Sequence, residues 1–229
     1  ISKVSKCKLG GNKINLTRDF TSKFFSAVLL LLISCCGYKN KENTKYFCEK
    51  LTLDCNIQEN ILIFHTSRGI IKIELFADSH PVTVANFISK VKSNIYANKN
   101  FYKIINYSNN KLIHNGLNKL NGFGKININD VETFASIPLE IKLNNEEIIY
   151  ETSILNPLKI KNLRHKFEKG SISMVKINEK RSSSTEFFFS LNSLPEFDGR
   201  YSIFGRVING SEILYKINKN DLIKKIEFN

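Results

Sequence analysis

From residue 61 onward the chain is a series of short β-rich runs separated by turns, with one clear helical stretch among them. That pattern restricts the possible folds more than any other feature. Ile61–Phe64 and Ile70–Phe76 are joined by a turn at Ser67, Arg68 and Gly69, and in the second run Ile71, Ile73 and Leu75 alternate with Lys72 and Glu74. This is the period-two signature of a half-buried strand, so the pair reads as a hairpin. Asp78-Ser79-His80-Pro81 ends the strand, and Val84, Phe87, Ile88 and Val91 then recur at helical spacing, with Pro81 suited to the first turn. Phe101–Ile105, Ile137–Leu143, Ser171–Lys176, Glu186–Leu191 and Tyr201–Val207 are further short strands, with Ile113 in another. Many short strands with few helices point to a closed barrel or a sandwich, and closure also removes exposed edges.

With 229 residues, 42% of them hydrophobic, the chain has room for one medium domain plus an extension, and 17 Phe with no Trp make Phe a main core residue. The net charge of +13 comes mostly from scattered Lys, with Arg sparse. No basic stripe of the kind that tracks a phosphate backbone is visible, so nucleic acid is not an expected partner.

The first third differs in character. Residues 24–34 read FFSAVLLLLIS, too short for a membrane span and right for the apolar region of an export signal, with Arg18 and Lys23 before it; the alternative is a buried helix, which would have to be covered on all sides. Leu32-Ile33-Ser34-Cys35 resembles a bacterial lipobox, which would make Cys35 the lipidated residue. The expected organisation is a signal and anchor over 1–35, a polar linker over 36–58 and a folded domain over 59–229. The implied location is the periplasmic or outer face of a membrane; the alternative is the cytoplasm. Cys48 and Cys55 would form a short-loop disulfide if the chain is exported and stay free thiols if it is not.

The ordered blocks of the last two thirds resemble the cyclophilin family of peptidyl-prolyl cis-trans isomerases. GIIKIELFADSHPVTVANFISKV (69–91) resembles that family's opening strand and first helix, and NKNFYKII (98–105) its FHR(V/I)I strand. IPLEIKL (137–143) matches a segment of bacterial members. RHKFEKGSISMVK (164–176), STEFFFSL (184–191) and FDGRYSIFGRVINGSEILYKI (197–217) follow in the family's order. The resemblance implies an eight-stranded closed antiparallel barrel capped by two helices. It also implies proline-containing polypeptides as partners, a monomer and no cofactor.

Residue by residue, the resemblance puts Lys103 in the place of the family's catalytic Arg, which keeps the charge and loses the planar fork. Asn106–Asn110 reads as a short insertion, after which Leu112 takes the pocket Met position and His114 replaces the backbone-binding Gln. Phe188 takes the ring-stacking position, Glu186 replaces a Gln, and Val175 fills a small Ala position with Lys176 beside it in place of an Asn. Phe197 and Tyr201 stand for a Leu and a His, and Glu196 matches the Trp tied to cyclosporin binding, so weak cyclosporin binding is expected. Period two separates Phe187 and Phe189, on a core face, from Phe188, on a groove face. Ser182–Ser184 reads as a loop, and His65, His80, His114 and His165 show no metal-ligand spacing. Three functions remain open: a slow or selective isomerase, a non-enzymatic binder of proline-containing segments, and a lipoprotein scaffold.

Overall fold

The computed structural model describes residues 42–107, 110–117, 125–128 and 131–229. Cys35 and the signal-like stretch lie outside the described residues. No helix among those described is long and apolar enough to cross a membrane.

The hairpin forms as its alternation demands. Strand β1 (Ile61–Thr66) pairs antiparallel with β2 (Gly69–Leu75), placing Phe64 opposite Ile71 and Leu62 opposite Ile73. Ile71, Ile73 and Leu75 are buried, while Ile70 stays exposed. Helix α2 (Pro81–Lys92) follows, with Pro in its first turn and Val82, Val84, Phe87, Ile88 and Val91 buried. Its first-turn amides are capped by a distant side chain: the buried Glu140 carboxylate accepts from the backbone N–H of Val82 at 3.1 Å and of Thr83 at 2.6 Å, and from the Thr83 hydroxyl. Burial raises the Glu140 pKa to about 7 against these hydrogen bonds, which favour the charged form.

The remaining strands are β3 (Lys99–Asn100), β4 (Lys103–Tyr107), β5 (Asn110–Asn115), β6 (Lys125–Ile128), β7 (Val131–Phe134), β8 (Ser136–Pro138), β9 (Glu140–Lys142), β10 (Ile148–Tyr150), β11 (Ser171–Lys176), β12 (Arg181–Ser190), β13 (Ile203–Asn209) and β14 (Leu222–Phe228). With β1 and β2, eight of them build one ten-stranded sheet in the order β3-β14-β1-β2-β13-β11-β12-β5-β4, with β8 also on β12. β6 pairs with β7, and β9 with β10, as separate ribbons.

The expected closed eight-stranded barrel is therefore not what forms. The sheet is curled and antiparallel, but its ladder ends at β3 and β4. These ends are consecutive in the chain, separated only by Phe101 and Tyr102, so one runs on into the other instead of pairing with it. Asn115 spans part of the gap, its side-chain amide donating to the carbonyls of Lys99 and Asn100 at 3.4 and 3.0 Å. Among the described residues of the expected domain only α2 is a long helix; α3 (Pro157–Lys161) and the six-residue α4 (Ser211–Lys216) are short. The Ile137–Leu143 run divides at Leu139, because β8 joins β12 and β9 joins β10. Ser182–Ser184 is strand and not loop, since Ser182 and Ser183 pair with Ile137 and Ser136 of β8.

Part of the polar 36–58 stretch is structured. Residues 42–50 form helix α1, and Phe47, Cys48 and Leu51 are buried in the main core. Thr44 and Tyr150 share a hydroxyl hydrogen bond at 2.7 Å, and the Phe47 ring lies 5.0 Å from that of Tyr150. Cys48 and Cys55 form a disulfide. Leu53, Cys55 and Ile57 pack against the same core.

The core is a ring network. Phe87 of α2 meets Phe187 edge-on at 5.2 Å and Phe204 at 4.9 Å, and Phe64 meets Phe187 and Phe189 edge-on at 6.3 and 6.1 Å. Edge-to-face contact sets each ring's positive rim against another's negative face. Phe188, between two of these residues in sequence, faces the other way, into a second cluster with Leu112, Phe167, Leu194 and Ile203.

Candidate active site

The second cluster opens to solvent as a cavity of about 190 Å³ on the outer face of β4, β5, β11 and β12. Its walls are Ile105, Leu112, His114, Val175, Lys176, Phe188, Phe197 and Tyr201. Six of the residues picked from sequence thus meet in one place: Leu112, His114, Val175, Phe188, Phe197 and Tyr201. Register explains the meeting, because Phe188 pairs with His114 across β12 and β5, and His114 pairs with Lys103 across β5 and β4.

Phe188 forms the floor and is almost fully buried. His114 stacks on it at 5.3 Å with 20° between planes, and Tyr201 stands edge-on at 5.6 Å. The turn at Pro195–Phe197 brings Phe197 over to stack on Tyr201 at 4.9 Å. Phe167, which sequence reasoning did not single out, lies nearly parallel to Phe188 at 5.9 Å. Its place in the RHKFEKG block was the available signal. The Asp198 carboxylate accepts from the Phe167 amide at 2.8 Å and fixes the backbone there.

His114 is the polar group in this apolar wall. Its Nε2 is buried with no hydrogen-bond partner among the described residues, and burial, helped by the Lys103 charge, lowers its pKa to about 4. It is a neutral ring at ordinary pH. Lys176 supplies a cation in the wall, but its ammonium donates to Ser153 Oγ at 3.1 Å and pairs with Glu179 at 2.9 Å.

Two predicted residues do not line the cavity. Lys103 is exposed, on the strand beside His114. Glu186 shares the Phe188 side of β12 by period two but is buried, and it accepts the Tyr102 hydroxyl at 2.8 Å. Gly116 makes room for that arrangement: a Cβ there would sit 2.5 Å from the Thr185 carbonyl and 2.7 Å from Glu186 Cα, and its φ is +126°.

A second polar cluster lies at the start of α2. The Ser79 hydroxyl is 2.9 Å from His165 Nε2 and 3.3 Å from His80 Nδ1, and the His165 ring stacks on Phe76 at 3.8 Å. Burial is the main cause that lowers His80 to about 3 and His165 to about 4. No group of three or more potential metal ligands occurs among the described residues.

Comparison with known proteins bears on the family and the fold. The sequence model for the cyclophilin type peptidyl-prolyl cis-trans isomerase family matches residues 61–227. A peptidyl-prolyl cis-trans isomerase of Helicobacter pylori is 26% identical over 166 residues, covering 71% of this chain and 83% of that protein. The peptidyl-prolyl isomerase cwc27 of Aspergillus fumigatus is 27% identical over 164 residues, covering 71% of this chain but only 27% of that longer protein. Among solved structures, a Cryptosporidium parvum cyclophilin type isomerase crystallised in the presence of the dipeptide Ala-Pro superposes with a TM-score of 0.52 at 23% identity, covering 74% of this chain and 98% of that one.

Proposed function

The chain belongs to the cyclophilin-type peptidyl-prolyl cis-trans isomerase family, and from that premise we propose that its groove rotates Xaa-Pro bonds in exported polypeptides. The observation that carries this reading is the cavity over Phe188, where six side chains that the family resemblance assigns to the groove converge. An apolar aromatic floor suits a prolyl ring, and the His114 ring adds a polar group to the wall beside it.

The chemistry asked of the site is modest. Amide resonance opposes rotation with a barrier of about 18–20 kcal/mol. Twisting breaks the resonance and makes the prolyl nitrogen basic, so a cation near it favours the twisted state over the planar one. Lys103 is the residue assigned that role. Its side chain is long and solvated, and it stands one strand over from the floor, beside His114. Glu186 supports the site from behind, through Tyr102.

A second reading is a proline-segment binder with little catalysis. It is favoured by the place of Lys103 outside the cavity lining and by Glu186 being held by Tyr102. An exchange assay on a panel of Xaa-Pro peptides separates the two. Acceleration that is lost in Lys103→Ala supports the isomerase; binding without acceleration, with Lys103→Ala equally silent, leaves only the binder.

Export, lipid anchoring at Cys35 and a monomeric state belong to the same proposal. The Cys48–Cys55 disulfide supports export, since such bridges persist in oxidising compartments. Mass spectrometry of the mature N terminus tests it: an acylated Cys35 is expected, and an uncleaved, unmodified N terminus would overturn the anchor.

A further inference from the structure

We propose that the exposed turn over residues 155–166 docks on an anionic lipid bilayer. Leu158 and Leu155 are 76% and 60% exposed, more than any other large hydrophobic side chain among the described residues. They flank Pro157, and the turn is held firmly. Asn156 caps α3 by accepting from the Leu158 amide at 2.9 Å, while Ile160 and Leu163 on the inner side pack with Leu139, Ile141, Leu143 and Ile154. The two leucines are thus held outward by a packed scaffold.

A lone exposed leucine is ordinary. The charge around this pair is not. Residues 152–167 contain no Asp or Glu, and they carry Lys159, Lys161, Arg164 and Lys166. Four carboxylates come close from other elements: Asp78 pairs with Arg164 at 2.6 Å, Glu146 accepts from Asn162 at 3.2 Å, Glu179 accepts from the Ser153 hydroxyl at 3.0 Å, and Asp198 accepts from the Phe167 amide at 2.8 Å. Lys159 and Lys161 make no ion pair with any described residue, and both are exposed beside the leucines.

This combination matches a headgroup interface. Short apolar side chains reach below the headgroups, while adjacent lysines lay their methylenes along the apolar layer and leave their ammonium groups among lipid phosphates. Two leucines are too small a patch for a stable protein interface, and nucleic acid would gain nothing from them. Neither leucine lines the Phe188 cavity, so the proposal does not rest on the isomerase reading.

The absence of Trp from the chain gives a clean probe. Leu158→Trp in the full chain supplies a single reporter, with Ile208→Trp, at another exposed site on β13, as its counterpart. With vesicles of equal phosphatidylglycerol and phosphatidylcholine, emission from the reporter at 158 should shift to the blue and be quenched by brominated lipid. Phosphatidylcholine alone should leave it unchanged, and the reporter at 208 should not respond to either. Adding Lys159→Glu and Lys161→Glu should raise the lipid needed for half of the shift about tenfold or more. Three results overturn the proposal: no shift at 158, an equal shift with neutral vesicles, or an equal shift at 208, which would mean lipid contact that is not specific to this turn.

Discussion

Lys103 and His114 are direct cross-strand partners on β4 and β5, so the exposed cation and the half-buried neutral ring form one unit at the edge of the Phe188 floor. The Lys103 charge helps to keep His114 deprotonated. Lys103→Ala is expected to lower kcat/KM for Xaa-Pro peptides about tenfold to a hundredfold, or about 1.4–2.8 kcal/mol of transition-state stabilisation. Lys103→Arg should raise it, because a planar fork holds its hydrogen-bond direction better than a flexible ammonium. Peptide exchange rates measured for both variants decide the matter; an unchanged rate in each would remove Lys103 from the mechanism.

The neutral state of His114 predicts a flat pH profile. With its pKa lowered to about 4, the ring does not titrate between pH 5 and 8. kcat/KM should be level over that range and fall only as pH approaches about 4. A break near 6.5, the ordinary histidine value, would show that the ring is solvated in the working protein.

Stability should respond to pH through two buried groups, His80 and Glu140, and two half-buried ones, His114 and His165. His80, His114 and His165 have folded values of about 3, 4 and 4. An unfolded chain takes up their protons near 6.5 while the folded one does not, so stability is full above 6.5 and is lost as pH falls towards 4. Glu140 acts in the opposite sense. Its pKa is raised to about 7 from 4.5, so its contribution is present below 4.5 and is lost as pH rises through 7. Three groups outweigh one, and the melting temperature should climb between pH 4 and 6.5. His165→Gln should reduce that slope. A melting temperature constant from pH 4 to 7 would contradict this account.

The Cys48–Cys55 bridge ties α1 to the segment that follows it, and both pack on the core. Closing so short a loop in the unfolded chain is worth about 2 kcal/mol in the chain-entropy picture. Reductant should lower the melting temperature of the native protein and leave that of a Cys48→Ala, Cys55→Ala double variant unmoved. Equal melting with and without reductant in the native protein would show that the bridge adds nothing.

Gly116 is where backbone conformation and site geometry meet. Gly116→Ala must adopt φ near +126° and bring a Cβ to 2.5 Å from the Thr185 carbonyl. A loss of about 1–3 kcal/mol in denaturant unfolding is expected, together with a change in the environment of Tyr102, whose hydroxyl bonds Glu186 over this position. Full stability in this variant would mean that the two strands part easily.

Much of this protein was legible locally. The alternation in Ile70–Phe76 set the buried face of β2, the spacing of Val84, Phe87, Ile88 and Val91 set that of α2, and period two sent Phe187 and Phe189 inward and Phe188 outward. Side-chain direction along one strand or helix depends only on that element's own repeat, so sequence alone determines it. The convergence of Leu112, His114, Val175, Phe188, Phe197 and Tyr201 followed from the ordered family blocks. Tertiary structure decided the rest. Glu186 shares a face with Phe188, yet Gly116 and Tyr102, on other segments of the chain, turn its carboxylate away from the cavity. The polar stretch before residue 60 contains a helix because the core offered Phe47 and Leu51 a place, and because Cys48 and Cys55 meet there. The barrel stays open because β3 runs on into β4. Each of these outcomes depends on what packs against a residue from far along the chain, and no local repeat encodes that.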